Sequence, residues 1–420
     1  MLRIADLSPG LSQIHQRCLV DEIVASLPKE ATKVAGDAEA DAYFLEPEQS
    51  WHRDWLARCN AERNGIRYFL DALPEHVVAR IRERKSTLVV NGSGEGGVPW
   101  FPDNFYTFHE EIRQAELPFD GVIVVTGNSR IQAAYKNYFS EPPDVISVLY
   151  HNVYFTKGVR VLSEAFAPNY QELRDIARRR TEAGAGLRDF LCFNLAPRPH
   201  RVMLVASLAA DDLLDRGLVS FPDLNGSSPK GLDSANDYLA TALRTDFDAG
   251  ENVMSALDRL RALGRMSIDE ESVDHISKEY KIPFDAFART WFSVVTETGM
   301  TGDDVGWITE KCLKPLVGFH PFVVLGSPHT LSDLRQLGFQ TFQSVFDESY
   351  DSIVEPKKRF RAAYALVKDL AQREDKTRLI GELAETAEFN AHHALFNAME
   401  AIRQQWTLPL ADAIARRSRA

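Results

Sequence analysis

The 420-residue sequence has no long hydrophobic run and few cysteines. No apolar stretch reaches the ~20 residues that a helix needs to cross a bilayer, so we expect no transmembrane segment. The first residues, MLRIADLSPGLSQIHQ, show no basic stretch followed by an apolar core, so no secretory signal is expected. The cysteines, Cys18, Cys59, Cys192 and Cys312, are scattered without metal-ligand spacing. Together these absences predict a cytoplasmic protein with reduced thiols.

Positive charge is also scarce, because 48 Lys and Arg stand against 60 Asp and Glu, giving a net charge of −12. Nucleic-acid binding depends on a basic surface, so a nucleic-acid partner is disfavoured. An anionic ligand would require a local cluster of Arg or Lys. The HExxH and G-x-S-x-G motifs are missing as well, and the glycine-rich loop NGSGEGG lacks the Lys-Ser/Thr ending of a P-loop. We therefore predict no metal site.

What the chain does contain is an alternation of apolar runs and amphipathic segments. The first half carries helix-like segments at 53–70 and 129–139, and the second half continues the pattern. The apolar runs are residues 87–91, 121–129, 144–152, 190–194, 218–221, 291–297 and 321–327. Continuous apolar strands separated by helices are typical of a parallel sheet that is covered on both faces. The pattern predicts an α/β fold of two Rossmann-like domains that face a cleft.

Domain boundaries follow from changes in this pattern. A basic helix over 171–190 ends in Gly-Ala-Gly, which favours a boundary there. We predict an N-terminal α/β domain at 1–183, a second α/β domain at 184–355 and C-terminal helices at 356–420. The polar, mostly helical stretch 231–290 is too long for a simple crossover and is interpreted as an insertion in the second domain.

Polar residues directly after strands are the first place to seek a site, since ligands of open α/β sheets bind beyond the carboxyl ends of the strands. Asn194, Arg198 and Arg201 follow the run 190–194 and precede an apolar helix. Arginine forks and the N–H groups of a helix N-terminus both suit a diphosphate. Pairing of the arginines with Asp211 or Asp212 is the alternative.

A second group follows the run 291–297. Glu297 ends that strand, and Thr309 is a plausible N-cap for a helix that begins with Glu310 and Lys311. Glu310 is also what helix capping alone would select. Lys311 is different, because a cation in the first turn opposes the helix dipole unless an anion lies nearby. Lys314 lies three residues on, on the same face.

One acidic residue in the first half could carry proton transfer. Glu95 lies in the glycine-rich loop 91–97, which follows a strand. A carboxylate there could act as a general base toward an acceptor hydroxyl. The alternative is an ordinary solvated loop glutamate.

The segment around Lys311 resembles the donor-binding domain of GT-B glycosyltransferases of the bacterial fucosyltransferase type. The resemblance rests on Glu297, on Thr309-Glu310-Lys311, and on a G-x-x-P turn, Gly318 to Pro321, before the apolar run 322–325. It covers about residues 291–339 and, loosely, 190–202. The insertion and the Pro-Phe pair depart from the family pattern, so the sugar does not carry over.

The resemblance implies roles for several residues. Glu310 would hold the donor ribose, and Lys311 with Arg198 or Arg201 would clamp the diphosphate. The catalytic base would come from the N-terminal domain, and the family likeness implies inversion at the sugar.

We accordingly predict a metal-independent glycosyltransferase without a cofactor, which moves a sugar from a nucleoside-diphosphate-sugar donor to an acceptor hydroxyl. The acceptor could be a glycan, a lipid-linked molecule or another hydroxyl compound. Two alternatives remain open at this point. One is a non-catalytic protein that binds a nucleotide sugar or a polyanion, and the other is a glycosyltransferase that acts on modified DNA bases.

Overall fold

The structure is a computed structural model. It describes residues 2–7, 19–24, 31–35, 39–45, 70, 73–93, 103–139, 145–183, 187–224, 235–268, 280–300, 302 and 305–417. In these residues the strands form two sheets, of six and four strands, and every strand pairing is parallel. No helix among them is both long enough and apolar enough to cross a membrane.

The first sheet has the order β2-β1-β3-β4-β5-β6. Its strands are β1 Leu2–Asp6, β2 Ala31–Val34, β3 Ala42–Leu45, β4 Thr87–Gly92, β5 Val122–Thr126 and β6 Ser147–Tyr150. Helices α1 Glu75–Arg82, α2 Asp103–Gln114 and α3 Ile131–Tyr138 alternate with these strands, and α4 Val153–Phe166 follows them.

Alternate residues of the central strands enter two different cores. Leu88 and Val90 of β4 pack in one cluster, whereas Val89 packs in the other. Because successive side chains of a strand point to opposite faces, this division shows that the sheet is covered on both sides. Leu410 and Ile414, near the end of the chain, help to cover the second face.

The second sheet has the order β10-β9-β7-β8. Its strands are β7 Arg188–Phe193, β8 Leu218–Ser220, β9 Thr290–Thr296 and β10 Phe322–Leu325. The chain passes from β7 to β8 on one side and then crosses to β9 on the other side of β7. The strand order therefore reverses between β7 and β9, which is the point where parallel open sheets bind ligands.

Helices make up the rest of the second half. They are α5 Tyr170–Ala183, α6 Pro199–Ala210, α7 Ala235–Phe247, α8 Glu251–Leu263, α9 Phe284–Ala288, α10 Glu310–Val317, α11 Thr330–Gln336, α12 Pro356–Gln372 and α13 Lys376–His392. Two π-helical turns, His393–Asn397 and Arg403–Thr407, flank α14 Ala398–Ile402, and α15 Leu408–Arg417 follows. Short 3-10 turns lie at Phe119–Gly121, Ala167–Asn169, Leu214–Arg216 and Glu348–Ser352.

The predicted α/β class, with two parallel sheets and a helical C-terminal region, is confirmed. Helices α7, α8 and α9 lie in the stretch 231–290, where a helical insertion was predicted, and α7 and α8 pack against α6. The helix predicted over 53–70 falls almost wholly outside the described residues.

By contacts the chain forms two compact units, residues 1–157 with 400–420, and residues 158–399. This division differs from the predicted boundaries at 183 and 356 for two physical reasons. Helix α5 packs against α9 and α13, and so belongs with the second sheet. The last helix packs into a core of the first sheet, through residues such as Leu410.

Candidate functional site

A pocket of about 440 Å³ lies where the strand order of the second sheet reverses. One part of its lining comes from the start of α6 and another from the segment directly after β9. The lining residues are Arg198, Pro199, His200, Asp246, Phe247, Thr298, Gly299, Met300, Glu355, Pro356 and Lys357. The pocket is thus bordered by the first turns of two helices, α6 and α12.

Glu297, directly after β9, is fully buried and is the structural anchor of this region. Its carboxylate accepts hydrogen bonds from the Thr309 hydroxyl at 2.5 Å and the Thr309 backbone N–H at 3.1 Å. It also accepts from the Thr298 backbone N–H at 3.2 Å, and the Cys312 thiol lies 3.1 Å away. These bonds fix the start of α10 to the end of β9. Glu297 therefore positions the site and is not exposed to a ligand.

The turn after β10 passes close to the side chain of Glu297. A Cβ atom added at Gly326, just after β10, would lie 3.0 Å from Cβ and 3.1 Å from Cγ of Glu297. Only glycine leaves this space free, so the turn after β10 can pass directly over the anchor.

Lys311 is held at the first turn of α10, as predicted. Thr309 is the N-cap of this helix, since its side chain accepts from the Lys311 backbone N–H. The Lys311 ammonium lies 2.7 Å from a carboxylate oxygen of Glu310 and 3.3 Å from the hydroxyls of Thr298 and Thr309. Thr298 also lines the pocket, so the ammonium lies beside it. The Lys311 side chain is 25% exposed and that of Glu310 is 10% exposed.

Arg201 stabilises the carboxyl end of β9 by hydrogen bonds. It is buried, and one Nη atom donates to the carbonyl oxygen of Glu297 at 2.8 Å and to that of Thr296 at 3.3 Å. The other Nη donates to the Ala196 carbonyl oxygen at 3.3 Å. Burial lowers the pKa of this guanidinium. Both Nη groups are directed at backbone carbonyls, which leaves Arg198 as the better placed of the two arginines for an anion.

Asn194 also braces the strand ends. Its side-chain oxygen accepts from the Thr296 hydroxyl at 2.8 Å, and its backbone N–H donates to the Ser220 carbonyl oxygen at 3.1 Å. It therefore ties β7 to both neighbouring strands. Asp211, considered as a partner for the arginines, instead pairs with Lys368 at 3.0 Å.

Arg198 and His200 line the pocket from the N-terminus of α6. Arg198 is the N-cap residue and is exposed. Nε2 of His200 donates to the Glu297 carbonyl oxygen at 2.9 Å. Burial lowers the pKa of His200 to about 3, and the charges of Arg201, Arg198 and Lys311 act in the same direction. The imidazole is therefore neutral near pH 7, and Arg198 supplies the positive charge at this helix start.

Of the predicted site residues that the structure describes, only Arg198 is part of the pocket lining. The Lys314 ammonium lies 5.5 Å from the ring centroid of Phe193, at the end of β7, which is a cation–π contact. Glu95 lies outside the described residues.

Lys357 is a pocket residue that the sequence analysis missed. It lies in the first turn of α12, is partly buried and pairs with Asp248 at 2.5 Å. The signal was present in Glu355-Pro356-Lys357, because proline favours the first helical position and lysine opposes the dipole there. The dipole argument applied to Lys311 would have singled out Lys357 too.

Fold and site together define an α/β protein whose second parallel sheet carries a polar pocket at its switch point, with Arg198, Lys311 and Lys357 around it. No group of His, Cys, Asp or Glu side chains in the described part of the chain has the arrangement of a metal site.

Comparisons with known proteins give no family. No family model matches the chain, and no curated protein matches it by sequence. Among solved structures it is similar to the N-terminal domain of trehalose-6-phosphate phosphatase from Candida albicans, with a TM-score of 0.41 and 9% sequence identity. That likeness covers 99% of this chain and 97% of the other. At such a score and identity it does not establish a family or an activity.

Proposed function

We propose that this chain is a glycosyltransferase of the GT-B type, which moves a sugar from a nucleoside-diphosphate donor to an acceptor hydroxyl without a metal ion. The observation that supports this most is the pair of cations at the starts of two helices beside one switch-point pocket, Arg198 at the N-cap of α6 and Lys311 in the first turn of α10. Helix N-termini and fixed cations are the usual recognition elements for a diphosphate in α/β proteins.

The cations would act on the leaving group. When the bond between the sugar C1 and the diphosphate oxygen breaks, its electron pair stays on that oxygen and negative charge grows there. Cations held in place beforehand stabilise this charge without reorganising during the reaction. The network of Glu297, Asn194 and Arg201 provides such fixed positions, since it ties the strand ends to the starts of α6 and α10.

Glu310 would bind the donor ribose, as the resemblance to fucosyltransferases implies. Its carboxylate can accept hydrogen bonds from both ribose hydroxyls. In the structure, a carboxylate oxygen of Glu310 lies 2.7 Å from the Lys311 ammonium. The ribose and the diphosphate would therefore be recognised by two neighbouring charged side chains. The acceptor oxygen would then attack C1 and give its proton to a base, for which Glu95 remains our candidate.

Nucleotide binding provides the direct test. A thermal-shift screen of the full chain should compare UDP, GDP, dTDP, ADP and CMP with buffer alone. A ligand at a hundred times its Kd stabilises the folded state by about 2.7 kcal/mol, so at least one diphosphate should raise the melting temperature clearly. The absence of a shift with all of them would overturn the proposal. Tight binding of a nucleotide sugar with no transfer to any hydroxyl acceptor would favour the non-catalytic binding protein.

A further inference from the structure

A second pocket, of about 720 Å³, is lined by residues of helices α5 and α13. It shares no lining residue with the switch-point pocket. Its lining residues are Tyr170, Arg178, Gly381, Ala384, Glu385, Glu388, Phe389 and His392. Both its size and its mixture of aromatic and charged side chains lie within the usual range for a ligand site.

Aromatic rings at this groove are exposed, yet they are held in fixed positions. Phe389 is 42% exposed, and Phe396, whose ring contacts the lining residues Tyr170 and His392, is 49% exposed. The Phe389 ring stacks on His393, with centroids 5.9 Å apart and ring planes 4° from parallel. His393 is itself fixed, because its Nε2 donates to the Leu337 carbonyl oxygen at 2.8 Å. An exposed aromatic surface that the fold keeps rigid is typical of a binding site.

The acidic and basic groups in and directly beside the groove are equal in number. The Glu388 carboxylate pairs with Arg174 and with Arg178, the latter at 3.6 Å. Glu385 adds an exposed carboxylate, so two lining carboxylates, Glu385 and Glu388, are opposed by Arg178 in the lining and by Arg174 beside it. A charged ligand would upset this balance, and a purely apolar helix would desolvate the ion pairs at a high cost. The groove therefore suits a neutral molecule with both apolar faces and hydroxyl groups.

We propose that this groove binds a neutral oligosaccharide. The C–H face of one sugar ring would pack on the exposed ring of Phe389, while its hydroxyls would bond to Glu385 and Arg178. Carboxylates and guanidiniums can each accept or donate two parallel bonds, which matches neighbouring sugar hydroxyls. This inference does not require the switch-point pocket to bind a nucleotide. If the proposed function holds, the bound glycan would be an acceptor or a part of one.

The test measures glycan binding to the full chain in the absence of nucleotide. Four neutral probes, maltopentaose, cellopentaose, mannopentaose and chitopentaose, would be compared by saturation-transfer NMR and calorimetry. We expect at least one to bind with a Kd of about 1 mM or below. Phe389→Ala should weaken that binding at least about tenfold, whereas Phe389→Trp should retain it, because an aromatic face is kept. Glu385→Gln should weaken it less, since the amide still forms hydrogen bonds.

Two control variants separate the groove from the rest of the unit. Tyr238→Ala removes another exposed aromatic ring, and Lys311→Ala alters the switch-point pocket, so both should leave glycan binding unchanged. Failure of all four probes to bind, or binding that survives Phe389→Ala, would overturn the proposal. A change in oligomeric mass caused by Phe389→Ala would assign the groove to self-association instead. The nucleotide screen is a separate measurement. A negative result for nucleotide binding therefore leaves the glycan-binding proposal testable, and the reverse also holds.

Discussion

At the scale of single residues, the hydrogen bonds that the Glu297 carboxylate accepts hold the start of α10 against the end of β9. Its two oxygens accept from the Thr309 hydroxyl, the Thr309 N–H and the Thr298 N–H. Glu297→Gln would replace one oxygen by an NH₂ group, which cannot accept these bonds. We expect the free energy of unfolding to fall by about 1–3 kcal/mol, because a buried donor loses its partner.

Urea unfolding would measure this loss. The matched control is Glu385→Gln, since that carboxylate is exposed and such surface changes usually stay within about 0.5 kcal/mol. Equal stability of the two variants would show that Glu297 is not the anchor we describe.

Lys311 carries the residue-scale prediction for function. Lys311→Ala removes the cation nearest to Thr298 and Thr309, so the thermal shift caused by a nucleoside diphosphate should largely disappear. For transfer, loss of one charge-stabilising group costs about 10²–10³-fold in kcat. Lys311→Arg should recover part of the binding, but its planar fork differs from a compact ammonium.

Lys368→Ala is the matched control for Lys311, because it removes a partly exposed lysine of the same unit that pairs with Asp211. It should leave both the thermal shift and the transfer rate unchanged. An unaltered diphosphate shift in Lys311→Ala would rule out the role that we assign to Lys311.

At the scale of elements, two glycines should respond oppositely to the same substitution. Gly318 follows α10, and an added Cβ would lie 2.8 Å from the Phe287 ring and 2.9 Å from the Lys314 carbonyl oxygen. Gly318→Ala should cost about 1–3 kcal/mol by overpacking. Gly381 lies within α13 with no atom near its added Cβ, so Gly381→Ala should gain about 0.5–1 kcal/mol. Melting temperatures of the two variants should thus move in opposite directions, and a shared direction would contradict the packing described here.

Most strands could be predicted from continuous apolar runs in the sequence, while the first three strands of the chain were missed. Strands β4, β5 and β9 are buried along their whole length or nearly so, and they were predicted from their continuous apolar runs. Strands β1, β2 and β3 were missed. LRIAD and ATKV mix charged with apolar residues and are only partly buried, and AYFL is fully buried but only four residues long. Short strands of that kind depend on pairing with neighbours that the local pattern does not reveal.

In the candidate site, roles that depend on neighbouring residues in the sequence could be predicted, whereas roles that depend on distant residues could not. Thr309 and Lys311 could be assigned as an N-cap and a first-turn cation from adjacent residues alone. The bracing roles of Asn194 and Arg201 could not, because their partners Thr296 and Glu297 lie about a hundred positions away along the chain. Only the order of strands in the sheet brings these groups together.

At the scale of the whole molecule, each compact unit buries at least one histidine that burial keeps neutral. His151 belongs to the first unit, and His200 and His320 belong to the second. Burial lowers the pKa of His151 and of His200 to about 3, and lowers that of His320 well below its usual value. In the unfolded chain such side chains titrate near pH 6.5. The folded protein therefore fails to bind protons that the unfolded chain takes up in mild acid.

The sign of the pH dependence follows from this difference. These histidines impose no penalty above about pH 6.5, and stability falls as the pH drops from there toward the folded pKa of about 3. Well below pH 6.5 each histidine contributes about 1.4 kcal/mol per pH unit to the slope of the unfolding free energy against pH.

His151→Gln should reduce this slope between about pH 6 and pH 5 by that amount. Any loss of stability that does not depend on pH leaves the slope unchanged. Thr156→Val, which removes a nearby buried hydroxyl bonded to the Asn152 carbonyl oxygen, does not titrate and should keep the wild-type slope. Urea unfolding at several pH values measures both slopes, and an unchanged slope in His151→Gln would mean that His151 accepts a proton in the folded protein.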